Sequence, residues 1–294
     1  MPDLREDIVF ANNGQTLPDI RDKIVCGDAF DVIPQIKEKS IDLLFADPPY
    51  NLHKKFGNLR FRRMHGDDYR DWLLSWLSLC MPALTPTASV YICGDWRSSA
   101  AIQDAGSQFL IPRNRITWER EKGRGARFNW KNSSEDIWFF TVSDKYIFNT
   151  EAVLQRRRVI APYRQNGKPK DWNETTDGNF RDTHPSNIWT DITVPFWSMP
   201  ENTDHPTQKP EKLLAKLILA GTEPGGRILD PFAGSGTSAV TARKLGRSFI
   251  AVESDENYCL LAAKRLRLAE SDRSIQGFEN GVFWERNSAP VRPR

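Results

Sequence analysis

The sequence predicts an α/β fold built on an open, mostly parallel sheet. Short apolar runs alternate along the chain with segments of helical period, and several runs are apolar throughout. A strand in a parallel sheet is buried on both faces, so it reads as a continuous apolar run rather than an alternating one. IDLLFA (41–46) and SVYICG (89–94) are of this kind. KIVCG (23–27) is a short strand ending at a glycine, and RITWE (115–119), DIWFFTV (136–142), RILD (227–230) and FIAVE (249–253) complete the set. Between them lie helical patterns. One runs from about 69 to 84, with Trp72, Leu73, Trp76, Leu77 and Leu84 as its apolar positions, and a second spans 98–108. A third, at 210–220, opens on Pro210, where a missing N–H costs nothing. The segment 235–246 ends on Gly246, and 255–270 carries Asp255 and Glu256 in its first turn, where the helix dipole favours negative charge. Alternating β and α elements of this kind make an open α/β sheet.

The period weakens from about 143 to 202, a stretch rich in Pro, Asn, Asp, Thr and aromatic residues, which predicts an insertion or small subdomain carrying specificity. Residues after 270 are polar and are expected to be loosely held. The 294 residues suit one large domain, or a domain with an insertion. No apolar run reaches the ~20 residues of a membrane span and the N-terminus lacks a secretory pattern, so a cytoplasmic location is expected. Cys26, Cys80, Cys93 and Cys259 have no metal-ligand spacing; they read as buried small hydrophobes, with no metal and no disulfide framework. The net charge of +3 hides an asymmetry. From 113 to 170 there are 14 Lys and Arg against 6 Asp and Glu, which leaves −5 for the remainder. A basic middle in an otherwise acidic chain suits a polyanion, although a solvated face gives the same count.

The segment ILDPFAGSGTSAVTARKLGRSFIAVESDENY combines a strand, a glycine-bearing turn, a helix, a second strand and a terminal carboxylate. Gly234 and Gly236 let backbone pass close to a ligand, and the helix start offers free N–H groups. Glu253, at the tip of the second strand, is placed to accept ribose hydroxyls. A dinucleotide site would continue G-x-G-x-x-G, but Gly236 is followed by Thr237, Ser238 and Ala239. Asp230 would repel a pyrophosphate and suits the ammonium of a methionine moiety, which favours S-adenosylmethionine over NAD. Turn chemistry alone would also explain the two glycines.

In IDLLFADPPYNL, Asp47, Pro48, Pro49 and Tyr50 stand at the carboxyl end of a buried strand, the edge at which open α/β sheets bind ligands. Consecutive prolines fix the backbone and remove two donors, leaving the Pro48 carbonyl as a directed acceptor. An exocyclic aromatic amine is a poor nucleophile because its lone pair is delocalised. Asp47 and the Pro48 carbonyl can take its two hydrogens and localise that pair for attack on a sulfonium methyl, with Asp47 stabilising the charge that develops on nitrogen. Tyr50 can stack on a base swung out of a duplex. A strand-ending Pro-Pro turn with a solvent-facing Asp is the plain alternative.

DPPY followed far downstream by DPFAGSG, with HPTQKP (205–210) between them, resembles the DNA amino-methyltransferases of the permuted (β-class) motif order, the N6-adenine/N4-cytosine family of restriction-modification type. The resemblance covers about 23–270. It implies a seven-stranded Rossmann-like methyltransferase sheet with helices on both faces and a variable target-recognition insertion. The implied divisions are an N-terminal arm (1–22), a catalytic half (23–142), a target-recognition region (143–202), a cofactor-binding half (203–270) and a C-terminal tail (271–294). Asp47, Pro48, Pro49 and Tyr50 would form the catalytic pocket. The S-adenosylmethionine site would draw on Asp28, Ala29, Asp47, His205, Thr207, Gln208, Lys209, Asp230, Phe232, Ala233, Gly234, Ser235, Gly236, Thr237, Ser238, Glu253 and Ser254, although His205 is equally readable as a helix-capping histidine. In that family Asp at the head of the tetrapeptide accompanies N6-adenine methylation more often, and Ser accompanies N4-cytosine. Carbon-5 methylation of cytosine needs a nucleophilic cysteine, usually after proline, and no Pro-Cys pair exists.

The implied partner is double-stranded DNA, with no membrane; a homodimer and a functionally paired restriction endonuclease stay open. EREKGRGARFNWKN (119–132) interleaves Arg120, Lys122, Arg124, Arg127 and Lys131 with Phe128 and Trp130, which suits phosphate contact and base stacking. LRFRRMHG (59–66), with Arg62 and Arg63, reads as a loop that orders over an extruded base, and RRR (156–158) as a further phosphate contact or a solvated face. Trp172, Trp189 and Trp197 read chiefly as core of the insertion. Against a DNA methyltransferase stand an RNA or protein-amide methyltransferase, which usually opens its tetrapeptide with Asn and places the cofactor motif first, and a non-catalytic DNA-binding module. The recognition sequence is not readable from one chain.

Overall fold

The structure is a computed structural model. It describes residues 3–11, 16–51, 54–56, 59–61, 63–120, 127–159, 163–175 and 178–286, with backbone only at 54–56, 59–61 and 174–175. All seven strands read from the sequence lie in one sheet, which a short strand extends at each edge to nine. In spatial order these are Ile8–Phe10, Lys23–Cys26, Ser248–Glu253, Arg227–Asp230, Ile41–Ala46, Leu84–Gly94, Ser134–Thr141, Ile111–Glu119 and Ile188–Trp189. The first six are mutually parallel. Ser134–Thr141 runs antiparallel to both its neighbours, because it returns directly from Ile111–Glu119 through a hairpin connection.

Helices cover both faces, and the pleat explains how one apolar run serves two cores. Leu43 and Phe45 face the cluster that contains Leu213, Leu217, Ala239 and Ala262, from the helices Glu211–Gly221, Thr237–Lys244 and Glu256–Ser271. Leu44 and Ala46 face the cluster with Tyr69, Leu73, Trp76 and Ile102, from Gly66–Cys80 and Ser99–Ser107. The first of these last two helices ends earlier than its period suggests: a 3-10 turn carrying Pro82 follows it, and Leu84 already belongs to the next strand. The segment 59–66, read as a loop, contains the strand Leu59–Phe61, paired antiparallel with Lys54–Phe56. Asn51 closes the base of this hairpin, donating to the Met64 carbonyl (3.0 Å) and accepting from its N–H (2.7 Å).

The aperiodic stretch contributes to a second, five-stranded sheet in the order Asn173–Thr175, Gly178–Thr183, Gln155–Arg158, Val282–Trp284, Phe278–Glu279. The polar tail expected after 270 is therefore corrected: Ile275, Val282, Phe283 and Trp284 are buried, and Val282–Trp284 pairs in parallel with Gln155–Arg158. Strands of two or three residues are too short to show a period. Arg156 pairs with Asp182 (2.7 Å) and Arg157 with Glu285 (3.5 Å), so two of the three arginines at 156–158 staple this sheet. Trp172 is buried; Trp189 is buried too, but in the core of the large sheet rather than of the insertion, and Trp197 is 89% exposed. Cys80, Cys93 and Cys259 are buried; Cys26 is only partly so.

Just after the edge strand Ile188–Trp189 of the large sheet stands Asp191, a buried carboxylate held by Lys216 (2.8 Å) and Lys212 (2.8 Å). Burial would raise the Asp191 pKa, but the two ammoniums outweigh it and hold it below the usual carboxylate range. Removing one partner of a buried ionic group leaves the others uncompensated, at a cost of about 3–5 kcal/mol. Asp191→Ala should therefore lose stability on that scale in urea denaturation; a loss under about 1 kcal/mol would show that the triad is not a structural staple.

Candidate active site

The carboxyl ends of the strands Lys23–Cys26, Ser248–Glu253, Arg227–Asp230 and Ile41–Ala46 share one edge of the sheet, and the turns that leave them enclose a cavity of about 520 Å³. Its wall includes all four residues of the tetrapeptide, together with Asp28, Ala29, His205, Thr207, Gln208, Lys209, Asp230, Phe232, Ala233, Gly234, Ser235, Thr237, Ser238, Glu253 and Ser254. Gly236 is off the wall. Its φ of +73° starts the following helix, and a Cβ there would stand 2.5 Å from the Ala262 Cβ, so it serves the close approach of two helices. Gly234 (φ +52°) faces His205 instead; a Cβ would meet the ring nitrogen at 2.9 Å. His205 packs edge-on to Tyr258, with ring centroids 4.5 Å apart.

Each carboxylate is oriented by backbone. Asp28 caps the short helix Ala29–Val32 by accepting from Phe30 N–H (2.9 Å). Glu253 accepts from Gly234 N–H (2.8 Å) and Asp255 N–H (2.9 Å), so the glycine turn and the next strand are locked together. Asp230 accepts from Phe232 N–H (3.0 Å) and from the Ser238 hydroxyl. Burial pushes the Asp230 carboxyl up to about 7, with the Ser238 and Phe232 hydrogen bonds opposing and the charges of Asp47 and Glu253 adding to it. Burial also raises Glu253. Buried Arg265 stitches the turn from behind, donating to Ser235 O (2.9 Å), Thr237 Oγ1 (2.9 Å) and Glu211 Oε1 (3.0 Å).

The tetrapeptide end is a charge network. Tyr69 donates to the Pro49 carbonyl (3.0 Å) and pins the Pro-Pro corner. Tyr50 donates to Asp47 Oδ1 (3.0 Å), and Lys209 Nζ donates to Asp47 Oδ2 (2.6 Å) and to the Tyr50 hydroxyl (3.2 Å). Glu135 Oε2 lies 3.3 Å from the same ammonium, and Oε1 takes Arg120. Burial works against charge on Lys209, but Asp47 and Glu135 more than offset it and its pKa lies above the ordinary lysine value.

Of the residues read as DNA contacts, Arg120 reaches the cavity wall, while Arg63, Arg127 and Lys131 do not; Arg62, Lys122 and Arg124 lie outside the described residues. Phe128 and Trp130 are 100% and 94% exposed, between the two antiparallel strands whose ends meet where Arg120 N–H donates to Ser133 O. Sequence reading missed Glu135, Asp95, Phe30 and Tyr258, all on the wall. For Glu135 a signal existed. It is in phase with Ile137 and Phe139, so a carboxylate stands on the core-facing side of a strand.

Comparison with known proteins agrees with this site. Residues 41–264 match the family model described as DNA methylase. The chain is 34% identical over 238 residues to the DNA adenine methyltransferase YhdJ of Escherichia coli K12, covering 79% of this chain and 78% of that one. It is 33% identical over 251 residues to the type II methyltransferase M.HpaI of Haemophilus parainfluenzae, covering 82% and 71%. The crystal structure of the M1.HpyAVI–SAM complex superposes with a TM-score of 0.57 at 26% identity, covering 83% of this chain and 98% of that one. The chain belongs to the N6-adenine/N4-cytosine family of S-adenosylmethionine-dependent DNA methyltransferases.

Proposed function

We propose that this enzyme methylates the N6 amine of adenine in duplex DNA, taking the extruded base against Asp47, Pro48, Pro49 and Tyr50. The observation that carries the reading is that the Pro-Pro corner and the carboxylates Asp230 and Glu253 line one cavity. Two features favour adenine over cytosine: Asp at the head of the tetrapeptide, and the name of the relative in Escherichia coli. The amine chemistry of N4-cytosine would use the same groups.

S-adenosylmethionine fits these residues. Among the described residues no Lys or Arg pairs with Asp230 or Glu253, so one buried and one partly buried carboxylate stand without a cation. Asp230 suits the methionine ammonium, Glu253 the ribose hydroxyls, and Phe232 and Phe30 the apolar faces. Bound there, the cofactor supplies a methyl group on a cationic sulfur. Asp47 and the Pro48 carbonyl accept the two amine hydrogens, which localises the lone pair, and the Tyr50 ring offers a stacking face. Asp47 stabilises the positive charge that grows on nitrogen, and the enclosed wall strengthens that stabilisation by excluding water. The basic, aromatic segment around Arg120, Arg127, Phe128, Trp130 and Lys131 faces phosphates and bases, and the insertion 143–202, which supplies three of the five strands of the small sheet, reads the target. A homodimer and a paired restriction endonuclease remain further proposals, tested by solution mass and by cleavage of unmethylated DNA.

Asp47→Ala should reduce methyl transfer to duplex DNA by at least about a hundredfold while cofactor binding by calorimetry stays within a few fold. Sequencing that separates N6-methyladenine from N4-methylcytosine in DNA exposed to the unaltered protein tests the base; N4-methylcytosine alone would move the assignment to the other amine. Cofactor affinity should depend on pH. A bound ammonium favours ionised Asp230, whose pKa is about 7 in the free protein, so affinity rises as Asp230 loses its proton. The Kd should fall about tenfold per unit up to about pH 7 and then flatten, before the α-amino group itself titrates near about 8. A flat profile from about pH 5 upward would remove Asp230 as the ammonium's partner. Arg127→Ala should lower the slope of log affinity for DNA against log salt by about one; an unchanged slope takes Arg127 out of the interface.

A further inference from the structure

Lys209 occupies the place that the reaction assigns to a base. Its ammonium donates to Asp47 Oδ2 (2.6 Å), an oxygen that an incoming amine needs. It also donates to the Tyr50 hydroxyl (3.2 Å), at the hydroxyl edge of that ring. Tyr50 already takes the other oxygen, Asp47 Oδ1. An incoming amine therefore cannot reach Asp47 Oδ2 while Lys209 holds its position.

The ammonium has somewhere to go. Glu135 is 4% exposed, and its Oε2 makes no hydrogen bond among the described residues although it lies 3.3 Å from Lys209 Nζ. The two already form an ion pair that lacks hydrogen-bond geometry, so Oε2 gains a donor when the ammonium turns from Asp47 towards it, a movement of a fraction of an ångström. Glu135 Oε1 is held by Arg120, which reaches the cavity wall and keeps a side chain 28% exposed. A phosphate that draws Arg120 away leaves Glu135 with more charge to offer Lys209.

We propose that Lys209 is a stand-in for the target amine, seated on Asp47 and Tyr50 until a base enters, and that Glu135 is the positioning residue to which it then withdraws. The inference rests on the reading that an extruded base meets Asp47. Lys209 offsets the charge of Asp47 while no base is bound, and its withdrawal restores to Asp47 the charge that the developing ammonium of the methylated base requires. No proton changes owner in the exchange: Lys209 stays charged at both seats.

The test is a double-mutant cycle on the full chain, read as KM for duplex DNA and kcat in methyl transfer. Glu135→Gln removes the charged berth and should raise KM for DNA by about tenfold, the scale of one charge-assisted hydrogen bond, with a smaller change in kcat. Lys209→Met vacates the seat and should lower KM. In the Lys209→Met background the Glu135→Gln penalty should vanish, because no ammonium is left to receive. If Lys209→Met fails to fold by circular dichroism, Lys209→Gln takes its place in the same cycle. An equal Glu135→Gln penalty in both backgrounds would overturn the proposal and make Glu135 a purely structural residue. Absence of methyl transfer to DNA by the unaltered chain would instead overturn the function itself, and this inference with it.

Discussion

Carboxylates crowded at one edge of a sheet are the constraint around which this protein is arranged. Asp47, Glu135, Asp230 and Glu253 are among those that line a single cavity, Asp47, Asp230 and Glu253 at or just beyond the carboxyl end of a parallel strand and Glu135 at the start of the antiparallel one. Charges of one sign in an enclosed space disfavour one another's ionisation; at Asp230, burial is the main cause of the raised pKa, and the charges of Asp47 and Glu253 add to it. Each is tolerated because something else in the fold holds it: backbone N–H groups for Glu253 and Asp230, an ammonium for Asp47, a guanidinium for Glu135. Acceptors fixed in this way need not reorganise when positive charge arrives, and the chemistry of a cationic methyl donor and a nitrogen becoming cationic requires such acceptors.

Topology explains why residues so far apart in sequence share a wall. Ile41–Ala46 pairs directly with Arg227–Asp230, so Asp47 and Asp230 leave adjacent strands although 183 positions separate them. The intervening chain completes the sheet on one side, supplies three of the five strands of the small second sheet and returns. Parallel pairing forces each strand to be re-entered from the same end, which sends every connecting turn at the carboxyl edge to one side of the molecule.

Much of this was legible in the chain, for definite reasons. Buried parallel strands are apolar throughout, so IDLLFA and SVYICG could be read directly, and the remaining strands by their place in the alternation of β and α segments; DPPY and DPFAGSG lie where such strands end, which pointed to the carboxyl edge of the sheet. Three features could not. Val282–Trp284 looked like a polar tail because three residues carry no period and its pairing partner, Gln155–Arg158, is itself full of charge. The two inner arginines at 156–158 resembled a phosphate surface because composition does not show that Asp182 and Glu285 face them. Glu135 escaped because a single carboxylate at a strand's start has the look of an edge residue until Arg120 and Lys209 are seen on either side of it.

HPTQKP shows how a fixed backbone can carry a side chain with two possible seats. The segment is tied at both ends. Gln208 donates to Glu201 O (2.6 Å) and accepts from Thr203 (2.6 Å), while the helix that begins at Glu211 has its first N–H taken by Glu201 Oε2 (2.7 Å). Burial raises Glu201 to about 7, with Glu211 adding to it and the cations Arg265 and Lys244 opposing. Those same cations fasten Glu211 to the cofactor turn and to the helix behind it. Lys209 thus projects from backbone braced on two sides, and only its four-carbon stem is free to turn. A compact ammonium on a flexible stem between two carboxylates can exchange partners with little backbone motion, which a planar guanidinium, built for a fixed fork, would do less readily. The choice of lysine at 209 is therefore as much a statement about movement as about charge.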